Sequence, residues 1–293
     1  MKLYQSYIGD HQKSFLSKAT IPFDASWNMG GDQREYELFR KISAELEAGG
    51  TEPWGMVSWK FQHKSLIAPE VFMAYADEKL SDGYDCVFIN PMIGNEAVYV
   101  NVWEQGEHCG HRGSLQIAAY LAQKLGPGFT RAMGRSCFCF CNYFIAKPAF
   151  WTAYFKFIQA ALEHLAEEAE RDTEVGRAYR GPAHYSKDET ASMRPFVIER
   201  LFSSFICNTT LRCAGYQYSA NQYDSKFGTQ LGAFLRKMSE MKNMAIEMQD
   251  QQLLDQHHAV RCNVLEAKYK TPISQLDDPS DYFLSAEYRS TFL

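Results

Sequence analysis

The chain lacks most of the signatures by which soluble enzymes are usually sorted. It has no glycine-rich phosphate loop of either standard kind and no nucleophile elbow, so P-loop enzymes, dinucleotide oxidoreductases and α/β hydrolases drop out. No stretch reaches the ~18 apolar residues of a membrane span. Met1-Lys2-Leu3-Tyr4-Gln5 does not lead into the long apolar core of a secretory signal, and a cytoplasmic protein is expected. No basic run exceeds two residues and the net charge is −5. A nucleic-acid backbone needs a clustered positive surface, so that partner is excluded from the expectation. Internal repeats and low-complexity segments are also missing.

What is present is aromatic and apolar. The 293 residues include 20 Phe and 17 Tyr, and hydrophobic residues make up 46%, enough to bury a large core. Eight cysteines read as reduced, mostly buried thiols in a cytoplasmic chain. Cys137, Cys139 and Cys141 would share one face of a strand, which is poor spacing for tetrahedral metal chelation.

Strands and helices alternate along the first two thirds. Leu3 to Ile8, Trp54 to Phe61, Asp85 to Asn90, Val98 to Val102 and Cys137 to Ala146 read as strands. Asp32 is placed to cap a helix carrying Tyr36, Phe39, Ile42 and Leu46, stopped by Gly49-Gly50. Further helices are predicted from Pro69 to about Leu80, from Ser114 to Gly126, from Pro148 to Glu170, and from Pro195 onward. Arg171 to Met193 reads as a polar loop. The pattern predicts an α/β domain over residues 1–206. Residues 207–293 read as a helical extension packed on the domain or at a dimer interface. Within it, Thr229 to His258 is expected as one long helix whose Leu- and Met-rich stripe serves core or homodimer packing. Arg236, Lys237 and Lys242 on that helix suggest peripheral contact with a membrane surface.

Two segments set polar groups inside apolar surroundings. Asn142 interrupts Cys137 to Ile145, and Glu199-Arg200 interrupts Phe196 to Phe205. An unpartnered buried amide or carboxylate costs about 1–3 kcal/mol or more. Such placement points to a polar site, the plain alternative being a buried Glu–Arg pair that fixes a helix. The loop from Asn101 to His111 gathers Glu104, Glu107, His108, Cys109 and His111. It is a candidate acid/base or substrate-binding loop, and His108 with His111 is a weaker metal candidate because their spacing matches no established ligand pattern. Lys60 ends one strand beside an aromatic. Asn90 follows another, where ligands of open α/β sheets bind.

Taken in order, "WGMVSWKF", "YDCVFINP", "CNYFIAKPAFWTAYFKFI" and "FVIERLF" resemble a group of bacterial sugar transferases, the GT-A-type glycosyltransferases of capsule, O-antigen and lipopolysaccharide assembly. The resemblance covers residues 1–206. It implies a GT-A-like, Rossmann-like mixed sheet flanked by helices. It also implies transfer of a sugar from a nucleotide-sugar donor, a UDP-sugar first among them, to a glycan or lipid-linked glycan acceptor. On that reading Tyr4 and Gln5 lie near the base or ribose, Lys60 near the donor, and Asn142 with Glu199 and Arg200 on the acceptor side. Metal-dependent members carry an Asp-x-Asp motif at the end of a central strand. The corresponding strand here ends Ile89-Asn90-Pro91, which puts Mn²⁺ or Mg²⁺ dependence in doubt. Lys60, Arg135 or His108 would then neutralise the leaving diphosphate. Glu199 is the expected base toward the acceptor hydroxyl, with Glu107 and Glu104 next. The rival expectations are a metal-dependent hydrolase built on Glu104, His108 and His111, and a non-catalytic glycan-binding protein on a transferase fold.

Overall fold

The computed structural model describes residues 1–28, 33–46, 50–186 and 189–268. The strands are β1 (Lys2–Tyr7), β2 (Ile21–Asp24), β3 (Trp54–Ser58), β4 (Cys86–Phe88), β5 (Phe144–Ala146), β6 (Pro182–Ser186), β7 (Glu189–Ser192) and β8 (Cys213–Gly215). The first seven helices are α1 (Glu35–Glu45), α2 (Phe61–Ser65), α3 (Pro69–Ser81), α4 (Ile93–Val98), α5 (Val102–His108), α6 (Ser114–Leu125) and α7 (Pro148–Glu170). They are followed by α8 (Glu174–Arg180), α9 (Arg194–Asn208), α10 (Ala220–Phe227), α11 (Thr229–Met248) and α12 (Gln251–Lys268).

Six strands form one mixed sheet in the order β2-β1-β3-β5-β4-β8, and β6-β7 is a separate hairpin. Within the main sheet β5 alone runs antiparallel to its neighbours. The α/β class with helices on a mixed sheet is therefore present. Side chains alternate across the sheet as strand geometry requires. Met56, Phe88 and Phe144 face α1, α7 and α9, while Val57, Val87 and Ile145 face α2 and α3. The first face is a tight aromatic assembly. Phe144 meets Phe202 at 4.4 Å and Trp151 at 4.6 Å between ring centroids. Trp151 stacks on Trp54 at 3.8 Å and donates its indole N–H to the Trp54 carbonyl at 3.1 Å.

Several local expectations differ from what forms. Val98 to Val102 is not a strand, because the Asn101 side chain accepts from the N–H groups of Trp103 and Glu104 and starts α5. The loop expected from Trp103 onward is thereby largely helix. Only Phe144–Ala146 of the long apolar run pairs in the sheet. Upstream, Ser203 Oγ accepts from the Cys139 N–H at 2.7 Å and donates back to its carbonyl at 2.5 Å, replacing a strand partner. Arg171 to Met193 holds α8 and both strands of the β6-β7 hairpin rather than a plain loop. The single long C-terminal helix is two, broken at Gln249, whose φ is 53°. The Asp32 cap lies outside the described residues.

Beyond residue 206 the chain returns to the sheet. β8 pairs parallel with β4, Cys86 opposite Cys213. Leu235 and Met238 of α11 are buried within this same chain, whereas Met248 is 66% exposed. Lys242 is fully buried, 3.2 Å from Glu96, and does not contribute to a basic surface. Among the described residues no helix is long and apolar enough to cross a membrane.

Phe144 carries the core between sheet and helices. Phe144→Ala should destabilise the fold by about 3–5 kcal/mol in denaturant melts.

Candidate functional site at the carboxyl edge of the sheet

The five parallel strands all end at one edge of the sheet, and β5 starts there. Continuing the observed register places Asn142 level with both Ser58 at the end of β3 and Asn90 beyond β4. Strand order reverses between β1 and β3, since the chain passes from β1 to β2 on one side and to β3 on the other. Crevices at such reversals are where open α/β sheets bind ligands. Ser58, Trp59 and Lys60 stand at this one.

The groups gathered here are polar and shielded. Ser58 Oγ and Tyr143 Oη are 2.6 Å apart, and burial pushes the Tyr143 hydroxyl up to about 12. Asn142 is 2% exposed with φ 53°, a backbone state that Asn tolerates better than most residues. Neither its amide nitrogen nor its carbonyl oxygen has a hydrogen-bond partner among the described residues. The Tyr218 hydroxyl is likewise buried without one. Cys141 lies beside them, its thiol pushed up to about 11 by burial, with Lys64, Glu199, Glu35 and Lys226 around it. Such unpaired buried groups are rare in folded proteins, and each calls for an explanation.

Glu199 enters from α9. It keeps a strip of accessible surface, yet protein surrounds it on nearly every side. Its carboxyl is raised to about 8, first by burial and then by the negative charge of Glu35; Arg200, Lys64 and Arg34 oppose the rise. Its carboxylate makes no hydrogen bond or ion pair to a described residue. Lys226 enters from α10, 6% exposed, and donates to the Lys64 carbonyl at 2.5 Å. Burial lowers it to about 8.

The other predicted site residues are held elsewhere. Arg200 points away from Glu199. It donates to the carbonyls of Val102 and Phe196 at 2.8 Å each, to Gln105 Oε1 at 2.7 Å, and meets His111 Nδ1 at 2.9 Å. A Cβ on residue 106 would lie 2.5 Å from its Nε, so Gly106 gives the guanidinium its room. His111 also stacks on Phe196 at 3.9 Å. Glu104 accepts both arms of Arg261 at 2.9 Å and the Val100 N–H at 2.6 Å. Glu107 accepts from the N–H groups of Gly113 and Leu115 at the start of α6. His108 is exposed and stacks against Tyr99. The loop's acids and histidines thus diverge, and among the described residues no three His, Cys, Asp or Glu side chains are placed to hold a metal ion.

Tyr4 packs edge-on against Phe23 and Trp54. Gln5 is fully buried and accepts from Ser17 N–H and Thr20 Oγ at 2.8 Å each, tying down the segment after β1. Asn90 accepts from the Met92 N–H at 3.0 Å. With Arg135, Tyr218 and Arg236 it lines a small adjoining cavity of about 90 Å³.

Lys64, Lys226, Glu35 and Tyr218 were not singled out in the sequence. Lys226 carries a readable signal: it sits beside Tyr223 and Phe227 on the buried face of a helix with a complete Ser219–Gln222 capping box. Lys64 needed α2, a five-residue helix too short for periodicity to reveal.

No family model, curated protein or solved structure matches this chain.

The raised Glu199 carboxyl has a stability consequence. The native state holds this proton more tightly than the unfolded chain, so its contribution is complete below the unfolded value near 4.5 and lost as pH rises toward 8. Glu199→Gln removes this dependence. Melting temperature should fall more steeply for the wild type than for the variant across that window, and parallel curves would contradict it.

Proposed function

We propose that the protein is a glycosyltransferase. It moves a sugar from a nucleotide-sugar donor, most simply a UDP-sugar, to a glycan acceptor of bacterial surface-polysaccharide assembly. The observation that carries this reading is Glu199: a shielded carboxyl without a hydrogen-bonding partner among the described residues, raised to about 8, near Lys64 at the carboxyl edge of a mixed sheet. The order of motifs shared with GT-A-type transferases supports the donor class. The divergence of Glu104, His108 and His111 argues against the hydrolase alternative.

The chemistry assigns each group a task. The acceptor oxygen attacks the anomeric carbon, the bond from that carbon to the phosphate oxygen breaks, and the diphosphate leaves with the electron pair. Glu199, as the carboxylate, takes the acceptor's proton. Phe15 and Trp59, 5.4 Å apart at the same edge, offer an aromatic surface for a base, and Lys60 lies over the Trp59 ring at 5.1 Å. Asn142 supplies a donor and an acceptor for sugar hydroxyls.

A base with a value near 8 is ionised in only about a tenth of molecules at pH 7, so activity is expected to rise with pH through about 8. The groups that set this value are Glu35 on α1, Lys64 on α2, Arg34 and Arg200. The test is a coupled assay of nucleoside diphosphate release over a panel of nucleotide-sugars and glycan acceptors. Glu199→Gln should lower kcat by roughly 10²–10⁴ and remove the alkaline rise. Full activity in that variant, or no turnover of any donor by the wild type, would overturn the proposal.

A further inference from the structure

Lys60 and Lys64 follow β3 at the start of α2 and within it, Lys226 reaches the Lys64 carbonyl from α10, and Lys226 is in an unusual position. Lys226 is 6% exposed, and its ammonium carries three donors. The Lys64 carbonyl at 2.5 Å takes one. No carboxylate of a described residue forms an ion pair with Lys226 or with Lys60. Lys60 and Lys64 stand four residues apart at the start and on the body of α2, a spacing at which like charges repel. Lys60 is lowered by partial burial and by Lys64, and Lys226 is lowered by burial with Lys64 adding to it. An ammonium withdrawn from water without a counter-ion is costly, and that cost falls on Lys226. The arrangement is accounted for if an anion completes it.

We infer that Lys60, Lys64 and Lys226 form a phosphate subsite that takes the diphosphate of the donor, with ammonium groups supplying the charge neutralisation. This rests on the transferase reading for the identity of the diphosphate, and on the lysine geometry alone for the anion. Lys226 reaches the subsite because α10 is pinned on both sides: its capping box fixes the start, and Tyr223 and Phe227 are buried on the same face. Lys60 is exposed and closes over the outer phosphate, and the buried Lys226 meets the inner side. Cys141 lies near Lys64, Lys226 and Glu199, and Glu199 lies near Lys64, so a phosphate held there leaves the anomeric carbon facing the base. Charge-assisted hydrogen bonds of this kind strengthen as a leaving group gains charge.

The experiment is titration calorimetry with pyrophosphate, with UDP and with uridine, in the presence of EDTA. The wild type should bind pyrophosphate and UDP under chelation, and UDP should displace pyrophosphate. Lys60→Ala and Lys226→Met should each weaken pyrophosphate at least tenfold. Lys237→Ala, which removes an exposed lysine of α11 outside the cluster, should leave binding unchanged. Lys60 is exposed, so its variant keeps the test informative if Lys226→Met does not fold. Pyrophosphate binding that needs added Mn²⁺, that is equal in Lys60→Ala and wild type, or that UDP does not displace would overturn the inference. Binding that follows the lysines while no nucleotide-sugar is turned over would sink the transferase reading and leave the anion subsite standing.

Discussion

The close approach of β5 to β3 organises the molecule. A Cβ on residue 55 would lie 2.0 Å from the Phe144 carbonyl oxygen and 2.8 Å from the Ile145 Cα, so only glycine lets the two strands pair. Because β5 runs against its neighbours, its first residues arrive at the edge where β3 and β4 end. That reversal delivers Cys141, Asn142 and Tyr143 to the carboxyl edge, and Phe144 to the centre of the aromatic face. The same three-residue strand thereby serves as core and as the threshold of the site. Helix α7 leaves from its far end and lays Trp151 flat on Trp54, closing the contact from the other side.

The polar cluster depends on this rigidity. Holding Glu199 and Lys226 away from water, and Asn142 and Tyr218 without partners, lowers stability by amounts that elsewhere would be relieved by small shifts of the chain. The aromatic core prevents such shifts. Phe202 and Phe205 on α9 pack on Phe144 and Phe150, which leaves Glu199 on the face turned to α1. Arg200, one residue on, takes the opposite direction and is held by Val102, Phe196, Gln105 and His111. The apolar helix thus contains a fixed cation and a carboxylate left open. The alternative of a mutually neutralising buried pair does not describe them, because Arg200 bonds to Val102, Phe196, Gln105 and His111 while Glu199 bonds to no described residue.

How much of this could be read from the chain follows from element length and from what each side chain touches. The long helices α3, α7 and α9, and the apolar strands β1, β3 and β4, are visible because period and proline placement agree. Short elements are not. Val98, Tyr99, Val100 and Val102 have strand-forming side chains, but Asn101 followed by Glu104 is a helix start, and the capping hydrogen bonds win. Asn142 and Glu199 stood out in the sequence because a polar residue in an apolar run is conspicuous. Glu104 and Glu107 stood out because the 101–111 segment gathers reactive side chains, yet Arg261 and the start of α6 absorb them. Arg261 lies 157 residues from Glu104, and no local pattern reveals a partner at that separation. The unpaired groups and the saturated ones look alike until the partners are known.

The C-terminal helices show why the sheet and the extension act together. Glu96 is 2% exposed and receives Ser239, Lys242 and Asn243 from α11; Lys242 also donates to the carbonyls of Glu96 and Tyr99. His257 of α12 is kept neutral, its value pushed down to about 4 by burial, and its Nε2–H donates to the Ala97 carbonyl at 2.9 Å. Both contacts end on α4, the short helix directly after Asn90. A buried ion pair adds little net stability, but removing one partner leaves an uncompensated charge, so the register of α11 on α4 is strictly specified. That register sets where α10 ends, and α10 carries Lys226. The position of Lys226 is in this way tied to a charge pair between α4 and α11, in a part of the chain that sequence patterning alone assigns to an extension.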